Sequence, residues 1–331
     1  MYRSHSIGVV VPAYNEEGFV GDVLDTIPEY VDRVYAVDDC STDGTWQEIQ
    51  AHANKQKVGS EQIADGGAQF DRRILPIHHD RNRGVGGAIK TGYQHALSDG
   101  IEITTVVGGD GQMDPNVLDR LLDPIVERRA DYAKGNRLIK AEHREDMPTF
   151  RLFGNSVLSL LSKIASGYWK LGDPQNGYTA ISLHALETVD IENMYEYYGY
   201  CNDLLVKLNA AELRVAEVAI PSRYADEESH ISYPQYIPRV SLMLLSNFLW
   251  RLRVKYLVRD FHPLVFLYGI GAVASVVGVL SAVRNGVGAV VGKSDDRKSS
   301  LSVLLLGTLM LILAMIFDME ENKELEVREF E

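Results

Sequence analysis

Apolar positions come in short, nearly unbroken runs separated by longer segments with helical spacing. Ile7–Ala13 (IGVVVPA) is apolar at almost every position, the pattern of a strand buried on both faces. Similar runs at 32–37, 74–78, 103–107 and 131–135 predict four more strands, and 213–220 a late one able to join the sheet edge. Between them, residues 15–28 place Phe19, Val23, Leu24 and Ile27 at helical spacing, and 45–53, 84–97 and 117–130 read as further helices. Residues 150–166 form an amphipathic pattern with Leu152, Phe153, Val157, Leu160, Leu161 and Ile164, and 203–211 another helix. The polar stretch 55–73 reads as a surface insertion. Strands alternating with helices of this length predict an α/β fold with a mostly parallel sheet covered on both faces, and ligands in such folds bind beyond the carboxyl ends of the strands.

The pattern changes near the C-terminus. Residues 263–283 and 299–317 carry no charge, and each run is long enough to cross a hydrocarbon core. Gly269, Gly271, Gly278 and Gly307 within them suit membrane helices. Upstream, 236–258 mixes Leu242, Leu245, Leu249 and Trp250 with Arg251, Arg253 and Lys255, a pattern that fits a helix lying in the membrane interface with its cations reaching lipid headgroups and also fits a helix packed on the core of the preceding domain. The expected organisation is an α/β domain over 1–232, an interfacial segment over 233–260, a transmembrane hairpin over 261–318 and a tail over 319–331. Residues 1–6 are polar and lead straight into the first strand, so no signal peptide is expected, and both ends are expected in the cytoplasm of a multi-pass membrane protein.

Composition narrows the function. A formal charge of −13 over 331 residues argues against nucleic acid as a partner. Cys40 and Cys201 are isolated, which excludes a disulfide framework and a zinc-ligand cluster.

The polar clusters fall at the strand ends. Gly109–Asp110–Gly111–Gln112 follows the fourth strand. Its glycines let the backbone approach a diphosphate, and the oxygens of Asp110 and Gln112 suit Mg²⁺ or Mn²⁺. Asp38 and Asp39 end the second strand, where a carboxylate can accept hydrogen bonds from a nucleobase or ribose; the same stretch also reads as a helix-capping turn. Residues 84–87 form a glycine turn into a helix without the lysine and hydroxyl of a phosphate-binding loop, which excludes an ATPase of that type. Arg137, Arg151 and Arg223 have the forked guanidinium suited to phosphate.

The strings VPAYNEE at 11–17 and VDDCSTDG at 37–44 resemble the opening of family 2 glycosyltransferases. GDGQMDP at 109–115, GNR at 135–137, Arg151 with Asn155, and DPQNGY at 173–178 continue the likeness. With the C-terminal hairpin, the whole resembles archaeal dolichyl-phosphate or polyprenyl-phosphate hexose synthases. That resemblance implies a GT-A type domain binding a nucleoside-diphosphate sugar, with Pro12, Tyr14, Glu16 and Asp38 lining the nucleotide pocket. It implies that Asp110 and Gln112 hold the metal on the donor diphosphate. Arg137 and Arg151 would meet the acceptor phosphate with Asn155 nearby, and Arg223 would close over the phosphates. The family's metal loop has two carboxylates where this chain has Gly108 and Asp110, so Asp39, water or phosphate oxygens would complete the coordination.

The reaction implied is inverting transfer of a hexose to a lipid phosphate, with UDP-glucose, UDP-N-acetylglucosamine and GDP-mannose as donors and uridine preferred. Asp173 is the carboxylate to test as a base or orienting group. Two other readings stand beside this one: transfer to a lipid hydroxyl or a diphospholipid-linked glycan, and a non-catalytic nucleotide-sugar sensor or scaffold. The lipid bilayer is an expected partner, and self-association is left open.

Overall fold

The computed structural model describes residues 1–55, 70–137, 149–221, 233–290 and 297–329. Most of the insertion expected at 55–73, and all of Arg223, lie outside them. So do the side chains of Arg151 and Asn155, although their backbone is helical.

Eight strands form one sheet. They are β1 (Ile7–Ala13), β2 (Arg33–Asp38), β3 (Ile74–His78), β4 (Ile103–Val106), β5 (Tyr132–Asn136), β6 (Thr179–Ser182), β7 (Val215–Ala219) and β8 (Glu326–Glu329). Their order is β3-β2-β1-β4-β6-β5-β7-β8, and β6 runs antiparallel to both of its neighbours, β4 and β5. The unbroken apolar runs follow from burial on two sides. Val9 and Val11 face a core shared with Val23 and Leu24 of α1 (Val20–Thr26), Ile49 of α2 (Thr45–Lys55) and Leu121 of α4 (Leu118–Val126). Val10 faces a second core with Ile89 and Tyr93 of α3 (Val85–Ser98), Leu186 of α6 (Leu183–Thr188) and Leu204 of α7 (Tyr200–Ala210). The chain leaves β1 for β2 on one side and returns to β4 on the other, so the crevice between the ends of β1 and β4 is the sheet's switch point.

Several elements differ from the sequence expectation. The helix expected over 15–28 spans only Val20–Thr26, because Asn15 adopts a left-handed φ of 57° and gives its N–H to Ser41 Oγ at 2.9 Å. The helix expected over 117–130 stops at Val126, and Arg128 turns left-handed at φ 56°. The strand expected at the sheet edge, β7, is interior. The described residues of the expected tail, 319–329, are ordered elements: a 26-residue helix, α10 (Arg297–Asn322), runs past 318, and β8 then pairs in parallel with β7.

Helix α8 (Tyr233–Arg253) buries Val240 and Leu244 against Leu158 of α5 (Thr149–Ser166) and Val206 of α7. Its outer side exposes Leu242, Leu245, Leu249 and Trp250. Of the cations expected to reach lipid, Arg251 and Lys255 point inward instead. Arg251 meets Asp318 of α10 through two 2.9 Å hydrogen bonds, and both side chains are fully buried. Tyr256 and Trp169 also donate to Asp318, at 2.7 and 3.3 Å, and Lys255 donates to Asn322 at 2.8 Å. Burial lowers the Lys255 pKa to about 8, with Glu212 opposing the shift. The inward turn follows from the partner: a carboxylate on α10 can neutralise a buried guanidinium that the sequence alone leaves unpaired.

Leu264–Asn285 in α9 (Leu264–Val290) and Ser299–Leu325 are long and apolar enough to cross a membrane. Most of their side chains face outward, including Val273, Leu280 and Leu305, which disfavours a soluble core hairpin. The two helices touch closely where side chains are smallest: a Cβ on Gly278 would lie 2.7 Å from the Leu304 backbone, whereas Gly269 faces open space. Asp318→Asn strands a buried guanidinium and should cost about 3–5 kcal/mol, a clear drop in the thermal midpoint of the detergent-solubilised protein. An unchanged midpoint would show that the Arg251 pair is not what joins the hairpin base to the α/β unit.

Candidate functional site

The loops at the carboxyl ends of β1, β2 and β4 are laced together. Gly109 N–H donates to Pro12 O at 3.1 Å, and Asp39 N–H to Ala13 O at 2.9 Å. Glu16 N–H donates to Thr45 Oγ1 at 2.7 Å, and Thr42 N–H to Asn15 Oδ1 at 2.8 Å. Tyr14 is 45% exposed on this rim. The backbone around Pro12, Tyr14 and Glu16 is therefore held against the loop after β2 and the start of α2.

Asp38 and Asp39 do different work. Asp38 is fully buried; Ser41 Oγ donates to its Oδ1, and His78 Nδ1 donates to its Oδ2 at 2.6 Å. The Trp46 ring lies 4.9 Å from that of His78. Asp39 accepts from His79 Nδ1 at 2.7 Å, Arg83 N–H at 2.8 Å and Gly84 N–H at 2.7 Å. Its oxygens thus organise the turn that opens α3. The glycines of that turn serve packing. A Cβ on Gly86 would lie 2.4 Å from Tyr195 O, and Gly87 N–H donates to Glu196 O at 2.8 Å. The Glu196 carboxylate accepts from Lys90 and Arg83, each at 2.9 Å, and the Lys90 hydrogen bond holds its pKa below the ordinary value.

Asp110 sits half-buried on the loop after β4, and its Oδ1 accepts from Gln112 N–H at 3.0 Å. Gly111 between them has φ 72°, a conformation glycine adopts without strain. Among the described residues no group of three or more His, Cys, Asp or Glu is placed to hold a metal. Asp110 and Gln112 are hard oxygen donors of the kind that bind Mg²⁺ or Mn²⁺ together with substrate phosphates.

Beyond the end of β5, Arg137 Nε donates to Asp173 Oδ2 at 3.0 Å, with Asp173 buried and Arg137 41% exposed at its side chain. The loop 173–178 is braced from below. Lys134 Nζ donates to Asn176 O, Asn176 Nδ2 to Gly135 O at 2.9 Å, and Tyr178 N–H to Asn176 Oδ1 at 3.0 Å. Burial pushes the Lys134 ammonium down from its ordinary range, while the charges of Asp173 and Glu217 work against the shift. Tyr178 Oη donates to Asp114 O at 2.7 Å, tying this loop to the one that carries Asp110.

The fold and motif order match one family. A sequence model described as glycosyl transferase family 2 matches residues 8–189, more than half of the chain. The chain belongs to glycosyl transferase family 2. This glycosyltransferase is 28% identical over 221 residues to a UDP-N-acetylglucosamine–dolichyl-phosphate N-acetylglucosaminyltransferase of Methanococcus voltae, covering 66% of this chain and 86% of the relative. It is 29% identical over 218 residues to an undecaprenyl-phosphate mannosyltransferase of Micrococcus luteus, covering 64% and 81%. Among solved structures it resembles glucosyl-3-phosphoglycerate synthase of Mycobacterium tuberculosis in complex with Mn²⁺, UDP and glucosyl-3-phosphoglycerate. The TM-score is 0.52 at 17% identity, covering 75% of this chain and 80% of that one, a likeness of the GT-A fold.

The structure links the loops that carry Pro12, Asp39 and Gly109 by main-chain hydrogen bonds, and it pairs Arg137 with Asp173 on a loop tied through Tyr178 to Asp114. Sequence reasoning missed His78 and His79 as partners of Asp38 and Asp39. Their position at the end of β3, level with the end of β2 in the parallel register, was the available signal. It also missed Lys134 and Glu217, each a charged residue inside an apolar strand.

Proposed function

We propose that this glycosyltransferase moves a hexose, with inversion, from a nucleoside-diphosphate sugar to a polyprenyl or dolichyl phosphate at a membrane surface. The observation that carries the reading is the Tyr178–Asp114 hydrogen bond. It ties the loop that carries Asp173, the partner of Arg137, to the loop that carries Asp110 and so supports a shared site. The lipid phosphates named for the relatives in Methanococcus voltae and Micrococcus luteus support the same acceptor class. UDP-glucose or UDP-N-acetylglucosamine is the preferred donor, with GDP-mannose as the competitor.

In this reading Pro12, Tyr14, Glu16 and Asp38 receive the nucleotide, and Asp39 orients the turn behind it. Asp110 and Gln112 would hold Mg²⁺ or Mn²⁺; when bound, the ion offsets charge on the leaving diphosphate. Arg137, with Arg151 and Asn155 from α5, receives the acceptor phosphate, and Arg223 closes over the phosphates. An acceptor phosphate is largely dianionic near neutral pH, so it attacks without a strong base. Asp173, committed to Arg137 through Oδ2, then orients the guanidinium rather than abstracting a proton. That pairing favours a phosphate acceptor over a hydroxyl one, which needs a base.

The test is a panel of UDP- and GDP-sugars with polyprenyl phosphate and polyprenol, read by mass spectrometry of the lipid product. A glycosylated polyprenyl phosphate is expected; equal transfer to polyprenol would sink the acceptor assignment. We further propose that the apolar helices cross the bilayer with the α/β unit in the cytoplasm. A cysteine at position 288 should then label with an impermeant reagent in intact cells, and labelling only after lysis reverses the topology.

The Asp110 carboxylate also has a local test. A Cβ on Gly108 would lie 2.8 Å from Asp110 Oδ1, so a second side chain here crowds the carboxylate. Gly108→Ala should push Oδ1 away from Gln112 N–H and lower turnover by about fivefold, the worth of one hydrogen bond. Unchanged turnover in steady-state assays would mean that the carboxylate acts from another position.

A further inference from the structure

Segment 167–178, between α5 and β6, delivers Asp173 to Arg137, and two carboxylates from outside the segment hold its main chain. Glu326 of β8 accepts Trp169 N–H through Oε1 at 3.1 Å and Lys170 N–H through Oε2 at 2.6 Å. Glu217 of β7 accepts both Gly172 N–H and Asp173 N–H through Oε1, the latter at 3.2 Å. The two strands are parallel neighbours, with Val215 opposite Glu326 and Glu217 opposite Arg328. Arg328 adds a 2.6 Å hydrogen bond to Lys170 O, so β8 holds the segment by both main-chain polarities. Both carboxylates are buried, at 2% exposure for Glu217 and 8% for Glu326. A carboxylate in such a place costs free energy unless hydrogen bonds satisfy it, and here four N–H groups of one short segment do so.

We propose that Glu217 and Glu326 are positioning residues for the acceptor side: they fix segment 169–173, and through Asp173 they fix the plane of the Arg137 guanidinium. Strand β8, which follows the second apolar helix after the short turn Lys323–Leu325, is then part of the catalytic unit. The inference rests on the reading of Arg137 as an acceptor-phosphate ligand.

The oxygen usage separates the two carboxylates experimentally. Glu217→Gln keeps the one oxygen that takes both N–H groups and should recover most of what Glu217→Ala loses. Glu326→Gln sets an amide NH₂ against a main-chain N–H and should behave like Glu326→Ala. The full-length protein in detergent is measured three ways: amide hydrogen exchange across 169–173, calorimetric affinity for UDP or GDP, whichever the wild type binds, and kcat and KM for polyprenyl phosphate. Glu217→Ala and Glu326→Gln should each speed exchange in the segment and lower kcat/KM for the lipid by about tenfold, with nucleotide affinity held. Faster exchange with unchanged lipid kinetics overturns the proposal, as does a parallel loss of nucleotide affinity, which marks general destabilisation. If Glu217→Ala does not fold, Glu326→Gln and Glu217→Gln carry the comparison. If the wild type transfers nothing to polyprenyl phosphate, the acceptor reading has failed by itself. The exchange data then still decide the positioning claim, and unaltered exchange rejects it.

Discussion

Asp110→Asn is expected to lower kcat by about 100-fold or more, equivalent to roughly 2.7 kcal/mol of transition-state stabilisation. The substitution keeps the shape of the loop, because an amide oxygen can still accept from Gln112 N–H, which Oδ1 accepts at 3.0 Å in the native chain. What it removes is the negative charge that draws a divalent ion to the donor diphosphate. The loss should therefore be partly recovered at high Mn²⁺, and the Mn²⁺ concentration giving half-maximal rate should rise. The packing between the β1 and β4 loops, held by Gly109 N–H on Pro12 O, should be undisturbed, so the thermal midpoint should not move. Steady-state kinetics across a Mn²⁺ titration make the measurement, and full turnover of the native protein in EDTA would reject the metal role of Asp110.

Arg137→Ala should cost about 2–3 kcal/mol in kcat/KM for the lipid phosphate, because a charge-assisted hydrogen bond to the acceptor is lost. Arg137→Lys should recover little, since an ammonium cannot keep the Asp173 contact and a paired phosphate contact in one plane. Asp173→Asn should fall less, because the amide oxygen still accepts from Arg137 Nε and no proton has to be abstracted. Arg151→Ala should resemble Arg137→Ala, and nucleotide affinity by calorimetry should be unchanged in both. Suppose instead that Asp173→Asn abolishes transfer while Arg137→Ala weakens only nucleotide binding. The acceptor would then be a hydroxyl, and Asp173 its base.

The sequence proposes the candidate site for one reason. In a parallel sheet the carboxyl ends of strands converge, so polar clusters at the ends of apolar runs converge too. Pro12, Asp38 and Asp110 group together on that basis from the sequence alone. The limits of the argument show at the same strand ends. Asp38 and Asp39 look equivalent as neighbours. Only the placement of His78, His79 and the Arg83–Gly84 turn separates a carboxylate facing the Trp46–His78 rings from one that organises the entry to α3.

The same division runs through the fold. The unbroken runs at Ile7–Ala13 and Arg33–Asp38 determined buried parallel strands, because local apolar composition decides what must leave water. Two uncharged C-terminal runs likewise determined a hairpin of long apolar helices. What the chain could not announce locally were pairings between distant segments. The antiparallel β6 lies between β4 and β5, and residues 326–329 return beside 215–218 as β8. Arg251, a cation expected at a lipid surface, is instead buried against Asp318. Each depends on a partner far along the chain, whose approach is decided by the packing of the whole molecule rather than by neighbouring residues. A local pattern can report which groups need burial or pairing, and only the tertiary structure selects the partner.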